Sequence, residues 1–223
     1  MGIEKSGNRD GRKVSAGSLS SIDWRGYGEL VAGVDEVGRG CVAGDVYAAA
    51  VVFDPENLDS NFEQQLTDSK LLSEKKREEF AEIIIKNHWV GIGKADVKEI
   101  DEINILRASL LAMERAICAL PKIPKVCLID GNQKVPNLKL SQECIVKGDL
   151  RVSVISAASI VAKVTRDQEM KRLDSIYPGF GFGDHKGYGT KAHLEQIALL
   201  KPCPIHRRSF KGVKEWIQQG AEI

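Results

Sequence analysis

The stretch ELVAGVDEVGRGCVAGDVYAAAVVFD, residues 29–54, holds two short apolar runs, 29–37 and 46–54, on either side of a glycine-rich turn. Apolar runs of this length bounded by Gly read as strands, and their closeness reads as a hairpin. Working outward, Ser73 ahead of EKKREEFAEIIIKN reads as a capping-box helix start. HWVGIGKA (88–95) reads as a further strand. Residues 99–120 carry Ile103, Leu106, Leu110, Met113, Ile117 and Leu120 at helical spacing, and Pro121 follows. KVCLID (125–130) and ECIVK (143–147) read as buried strands. SAASIVAKVTRDQEMKRLDSIY (156–177) reads as a long helix whose first half is small enough to lie close on a sheet. Shorter helices are expected over 190–200 and 211–219. The sum is an α/β domain on a mixed, partly antiparallel sheet, spanning 22–181, with a small helical C-terminal appendage, 182–223, belonging to the same domain.

The chain has 223 residues, 43% of them hydrophobic and 28% charged, enough for a core without staples. Composition excludes a fibre and disorder along the whole length. No apolar run approaches the ~18 residues of a membrane span. Residues 1–21, rich in Gly, Ser, Lys and Arg, read as a flexible tail; they lack the apolar stretch of a secretory signal, and Glu4 and Asp10 count against a transit peptide. The five cysteines (Cys41, Cys118, Cys127, Cys144, Cys203) are odd in number and form no CxxC pair, which is cytoplasmic, reduced usage. Cys203 and His206 have a zinc-like spacing that no second pair completes.

Thirty-two basic against thirty-one acidic residues leave a net charge of +1, but the distribution is uneven. Residues 182–214 hold seven basic and two acidic side chains, or +5, whereas 1–181 hold 25 and 27, or -2. A basic C-terminal face on an acidic body suits phosphates; a solvated surface helix would look the same.

Acids fall where chemistry is expected. Asp35 and Glu36 close the first strand just ahead of Gly38-Arg39-Gly40, Asp130 ends VCLID, and Asp149 follows ECIVKG. Open α/β sheets bind ligands at such strand ends. If the ends converge, four carboxylates meet, and two like charges about 4 Å apart repel by roughly 4 kcal/mol at an effective dielectric of 20. A hard divalent cation, Mg²⁺ or Mn²⁺, removes that cost, and two of them can clamp a phosphodiester. Taken singly, each acid also reads as a solvated loop start. Asp35 and Glu36, as strand neighbours, share a site only if the chain twists there. Arg39 between two glycines can pair with phosphate, although a tight turn explains GRG equally well. In DHKGYGT (184–190), Lys186 and Tyr188 sit on a glycine-punctuated loop, where Tyr188 can stack on a base or sugar or simply anchor the loop.

AGVDEVGRGCVAGDVYAAAVVF, LTDSKLLSEKKRE, LIDGN, VKGD, SAASIVAKVTRD, HKGYGTKAHLE and CPIHRRSF resemble, in order, the blocks of the ribonuclease HII family, over residues 32 to 210. The resemblance implies an RNase H-like fold and a metal-dependent endonuclease, using Mg²⁺ or Mn²⁺ and two ions during catalysis. Its substrates would be RNA–DNA hybrids and duplex DNA containing single ribonucleotides. It places Asp35, Glu36, Asp130 and Asp149 at the four acidic catalytic and metal positions, with Asp167 as an outer-shell rival for the fourth. Gly38, Arg39 and Gly40 match the loop that reads the ribose 2′-OH, and Tyr188 the tyrosine that packs on the next, deoxy, sugar. Lys186, Arg207 and Arg208 are expected to grip the duplex backbone, and a monomer is expected. Asp45 stands where the family usually has proline, which leaves the turn after GRG less fixed, and Gly183-Asp184 makes the later loop less basic. The sibling ribonuclease HIII family usually carries GKG and an extra N-terminal domain, which the leader of about 30 residues is too short to form. Two other classes stay in view. An actin-like ATPase or kinase also puts an Asp after its first strand but needs two such domains. An inactive nucleic-acid-binding module has no use for four clustered carboxylates.

Overall fold

The computed structural model describes residues 20–66, 72–218 and 220. Strands β1 (Val31–Val37), β2 (Val46–Val52), β3 (Trp89–Ala95), β4 (Val126–Asp130) and β5 (Ser141–Ile145) form one sheet in the order β3-β2-β1-β4-β5. The hairpin holds: β1 pairs antiparallel with β2, and β2 with β3. β1, β4 and β5 run parallel, so their C-terminal ends, with the acids they carry, emerge on one edge.

Helices cover both faces. On one, α1 (Ser60–Leu66), α2 (Glu74–Asn87) and α4 (Ser153–Ile176) pack on Val31, Ala49, Val51 and Leu128. On the other, α3 (Val97–Cys118) packs on Ala32, Val34, Ala48, Ala50 and Ile129. Alternate residues of β2 thus serve opposite cores, which is why VYAAAVV is apolar throughout and entirely buried. The small residues of 156–162 bring α4 close: a Cβ on Gly33 of β1 would stand 2.3 Å from the Val154 carbonyl.

Several local expectations are corrected. The residue three beyond Ser73 is Lys76, so Ser73 Oγ accepts from its N–H without a reciprocal carboxylate. The capping box lies instead at α3, between Asp96 and Glu99. The helix expected over 99–120 breaks at Asn104, whose φ is 67° and whose Oδ1 accepts from the N–H groups of Leu106 and Arg107, restarting the helix. β5 begins earlier than expected and is an edge strand with alternating exposure, not a buried one. As a result Asp149 sits beyond it on a short 3-10 turn, 148–150.

Past α4 come the short α5 (Phe182–His185), which the pattern did not reveal, then α6 (Lys191–Leu200) and α7 (Lys214–Gln218). Phe180, Phe182, Ile197, Cys203 and Val213 make a third core with Met170 of α4 and with Val42 and Ala43 from the turn after β1. The tail expected over 1–21 lies, but for Ser20 and Ser21, outside the described residues, as does part of LTDSKLLSEKKRE. Among the described residues, no helix is long and apolar enough to cross a membrane.

Candidate active site

At the edge where the parallel strands end, Asp35 is buried and Glu36 half-buried. Both carboxyls are pushed up from their ordinary values, first by burial. For Asp35 the next causes are the neighbouring charges of Glu36 and Asp130, and Asp130 also raises Glu36. The strand neighbours therefore do share one electrostatic site with the acid of β4. Asp35 turns back on its own chain, Oδ1 accepting from the Glu36 N–H at 2.7 Å. Glu36 accepts from Arg39 Nη1 at 3.0 Å, the cation of the GRG loop.

Asp130 Oδ1 accepts the Gly148 N–H at 2.7 Å and the Asp149 N–H at 3.4 Å, so the 3-10 turn is tied to β4 at the acid itself. Asp149 is buried, and its carbonyl accepts from Ser156 Oγ in the first turns of α4 at 2.6 Å. Asp167 lies farther along α4, its carboxylate paired with Lys163 Nζ at 2.7 Å. Among the described residues, no three His, Cys, Asp or Glu side chains close into a finished metal cage.

Two arginines that no water reaches lie below: Arg207 staples the GRG loop itself, and Arg166 the turn after it. Arg166 donates to the carbonyls of Ala43 (3.1 Å), Asp45 (3.0 Å) and Lys186 (2.8 Å). Arg207 donates to those of Gly38 (2.7 Å), Arg39 (3.1 Å) and Gly44 (2.7 and 2.9 Å). Gly38 has φ +96°, and a Cβ there would stand 2.3 Å from Arg166 Nε. Lys186 is half-buried, its ammonium donating to the Gly183 carbonyl. The turn at Asp45 gains from these staples what a proline ring would have given it, and its carboxylate pairs with Lys94 at 2.8 Å.

Arg207 is therefore corrected: it cannot reach a phosphate from beneath the loop. Residues 206–207 run beside 42–43 with both side chains buried, so Arg207 lies under the loop, whereas Arg208 stands on the turn that follows and is exposed. Burial pulls the Arg207 guanidinium down to about 10, still charged at neutral pH. Arg166 was overlooked, although Ala158, Ala162, Arg166 and Met170 recur every four residues on one buried helix face, a visible signal. The Cys203–His206 spacing brings Sγ to 3.1 Å from Nδ1.

Tyr188 bridges Cys41 beside the GRG loop and keeps an exposed ring. From Gly40 and Tyr188 a groove runs past Thr190 to Lys211 and Trp216.

A sheet of this order, with acids on adjoining parallel strand ends beside a backbone-rich loop, defines an α/β protein of the RNase H-like class. Residues 32–213 match the family model described as Ribonuclease HII. A protein named Ribonuclease HII from Marinomonas sp. (strain MWYL1) is 53% identical over 193 residues, 86% of this chain and 95% of its own. The crystal structure of ribonuclease H2 from Pyrococcus horikoshii OT3 superposes with a TM-score of 0.71 at 27% identity, covering 85% of this chain and 97% of that one. The crystal structure of Bst-RNase HIII in complex with Mn²⁺, at 18% identity and a TM-score of 0.64, covers 86% of this chain and 70% of that one and shares the fold. The chain belongs to the ribonuclease HII family and is a type 2 ribonuclease H, an endonuclease of the hydrolase class.

Proposed function

We propose that this enzyme hydrolyses the phosphodiester 5′ of a ribonucleotide, in RNA–DNA hybrids and at single ribonucleotides within duplex DNA, leaving 3′-hydroxyl and 5′-phosphate ends. The observation that carries this reading is the meeting of Asp35, Glu36 and Asp130 beside a loop whose backbone Arg207 fixes from beneath, with Arg166 holding the turn that follows.

The donor set fits Mg²⁺ or Mn²⁺. All the candidate ligands are carboxylate oxygens, and the carboxyls of Asp35 and Glu36 are raised first by burial and then by like charge, from Glu36 and Asp130 on Asp35 and from Asp130 on Glu36, a cost that a cation would offset. Asp35, Glu36, Asp130 and Asp149 would hold the cation or cations. Bound there, they supply Lewis acidity toward the scissile phosphate. Asp35 and Asp130 hold charge at the reacting centre. Glu36 is placed to divide its charge between that centre and Arg39, which a phosphate oxygen can engage in its stead. The peptide groups of Gly38, Arg39 and Gly40 approach the ribose 2′-OH, the group that separates RNA from DNA. Tyr188 packs on the next sugar, where an extra hydroxyl would crowd its ring, while Lys186 and Arg208 lie where the duplex backbone passes. Asp167 stays with Lys163, outside the ligand shell.

The test is nicking of a duplex with one embedded ribonucleotide, with Mg²⁺, with Mn²⁺ and with chelator. Metal-dependent cleavage 5′ of the ribonucleotide is expected; undiminished cleavage with chelator, or none with either metal, overturns the reading.

A further inference from the structure

Behind Tyr188 stands a group of buried histidines that the reaction does not use. His193 and His206 are inaccessible to water, and His185 stacks on His193 with ring centroids 4.1 Å apart. Their partners fix where each hydrogen lies. A carbonyl only accepts, so His193 Nδ1, 2.9 Å from the Tyr188 oxygen, carries a hydrogen. In the neutral ring Nε2 is then an acceptor. It lies 3.1 Å from Nε2 of His206, which must therefore donate. That leaves His206 Nδ1 as an acceptor, and its nearest contact is the Cys203 N–H at 2.9 Å, followed by the Cys203 thiol at 3.1 Å, which can also donate, and the Cys203 carbonyl at 3.2 Å. The same logic applies to His185, whose Nε2 donates to Phe180 O at 2.8 Å while Nδ1 accepts from Gly187 N–H at 3.1 Å.

A directed chain results: Cys203 N–H to His206, His206 to His193, His193 to the Tyr188 carbonyl. A proton added to His193 would set two N–H groups face to face across the 3.1 Å contact, and one added to His206 would confront the Cys203 N–H. Burial keeps both rings neutral by pushing them down to about 4. Tyr188 is gripped from the other side too, its N–H donating to the His185 carbonyl at 2.9 Å. Its own carbonyl also accepts from Thr190 N–H at 2.8 Å. Removing the histidine donor therefore leaves no orphaned carbonyl, only a looser one.

We propose that the neutral His206–His193 pair is a positioning device for substrate recognition: it sets the Tyr188 main chain, and with it the direction of the exposed ring, toward the sugar beside the scissile ribonucleotide. The proposal rests on the reading of Tyr188 as a substrate contact, and the test separates the two. The amide nitrogen of an Asn at 193 reaches the place of Nδ1, whereas that of a Gln reaches the place of Nε2. Loss of one hydrogen bond corresponds to about fivefold, so His193→Gln is expected to lower kcat/KM on a single-ribonucleotide duplex by about that factor, with His193→Asn within about twofold of wild type. In a Tyr188→Ala background His193→Gln should cost nothing further. Nitrogen NMR near neutral pH should show His193 protonated at Nδ1 and His206 at Nε2. Equal losses from Asn and Gln, an undiminished loss in the Tyr188→Ala background, or reversed tautomers would each overturn the proposal. Tyr188→Ala with wild-type activity would instead remove the substrate-contact reading itself, and this proposal with it.

Discussion

Asp35 and Arg207 are both closed off from water, yet their charges are met in opposite ways. Around Arg207, and Arg166 beside it, the chain turns carbonyl after carbonyl inward, so each guanidinium is satisfied by neutral partners already in place. Around Asp35 burial first, and then the charges of Glu36 and Asp130, of its own sign, raise the carboxyl well above its usual range. One side of the cleft is finished; the other asks for a cation. A loop that must read a hydroxyl needs its backbone fixed before substrate arrives, and hydrogen bonds from a buried arginine fix it. Acids that must hold cations are better left competing for a partner.

The strongest way to break this contrast is to neutralise an acid. Asp35→Asn or Asp130→Asn should abolish cleavage, a loss of at least about 10²-fold, while the fold survives. Because the folded-state carboxyl of Asp35 is raised, it contributes stability below its unfolded value of 3.8, and that contribution is lost as pH rises through the folded value. Metal-free Asp35→Asn should therefore melt level with or above wild type at neutral pH, with a flatter pH profile. An Asn variant with wild-type turnover, or one that melts well below it, would sink the assignment.

On the arginine side the sign reverses. Arg207→Met strips donors from the carbonyls of Gly38, Arg39 and Gly44; Gly38 keeps the Cys41 N–H, and leaving the other two without these donors costs about 1–3 kcal/mol each. Urea unfolding should show a loss of about 3 kcal/mol or more, with activity falling alongside. Unchanged stability would mean that the loop does not depend on this staple.

A smaller effect is expected at the rim. Tyr188→Ala should lower cleavage of a single-ribonucleotide duplex by about tenfold, in the range of one lost stacking contact. Comparison with a duplex carrying a run of ribonucleotides, under the same metal and salt, reads whether the loss depends on the next sugar. The same rate and ratio as wild type would leave Tyr188 as a loop anchor.

The smallest effect belongs to the exposed arginine. Arg208→Gln should reduce the slope of log affinity against log salt by about 0.9 if one phosphate contact is lost. Binding measured from low to moderate salt checks this, and an unchanged slope would assign Arg208 to the surface that anchors its N–H on Asp101.

What the sequence by itself determined follows from covalent order and local periodicity. The short apolar run VYAAAVV, helical spacing along 99–120 and small residues along 156–162 identify the elements, because each pattern is set by the core faces that one segment meets. The acids at the ends of β1 and β4 were legible for the same reason: chain order alone puts them after an apolar run. Asp149 was placed only loosely, since the end of β5 depended on where β4 offered a register. Tertiary structure alone decided what lies opposite each side chain. Arg207 and Arg208 are the same residue type in adjacent positions, and only the strip of chain at 42–44 makes one a buried staple and the other a solvent-exposed cation. The hydrogen on each ring of the histidine pair was likewise beyond the sequence, because it is fixed by carbonyls and N–H groups that meet only when the chain after α4 folds onto the turn after β1.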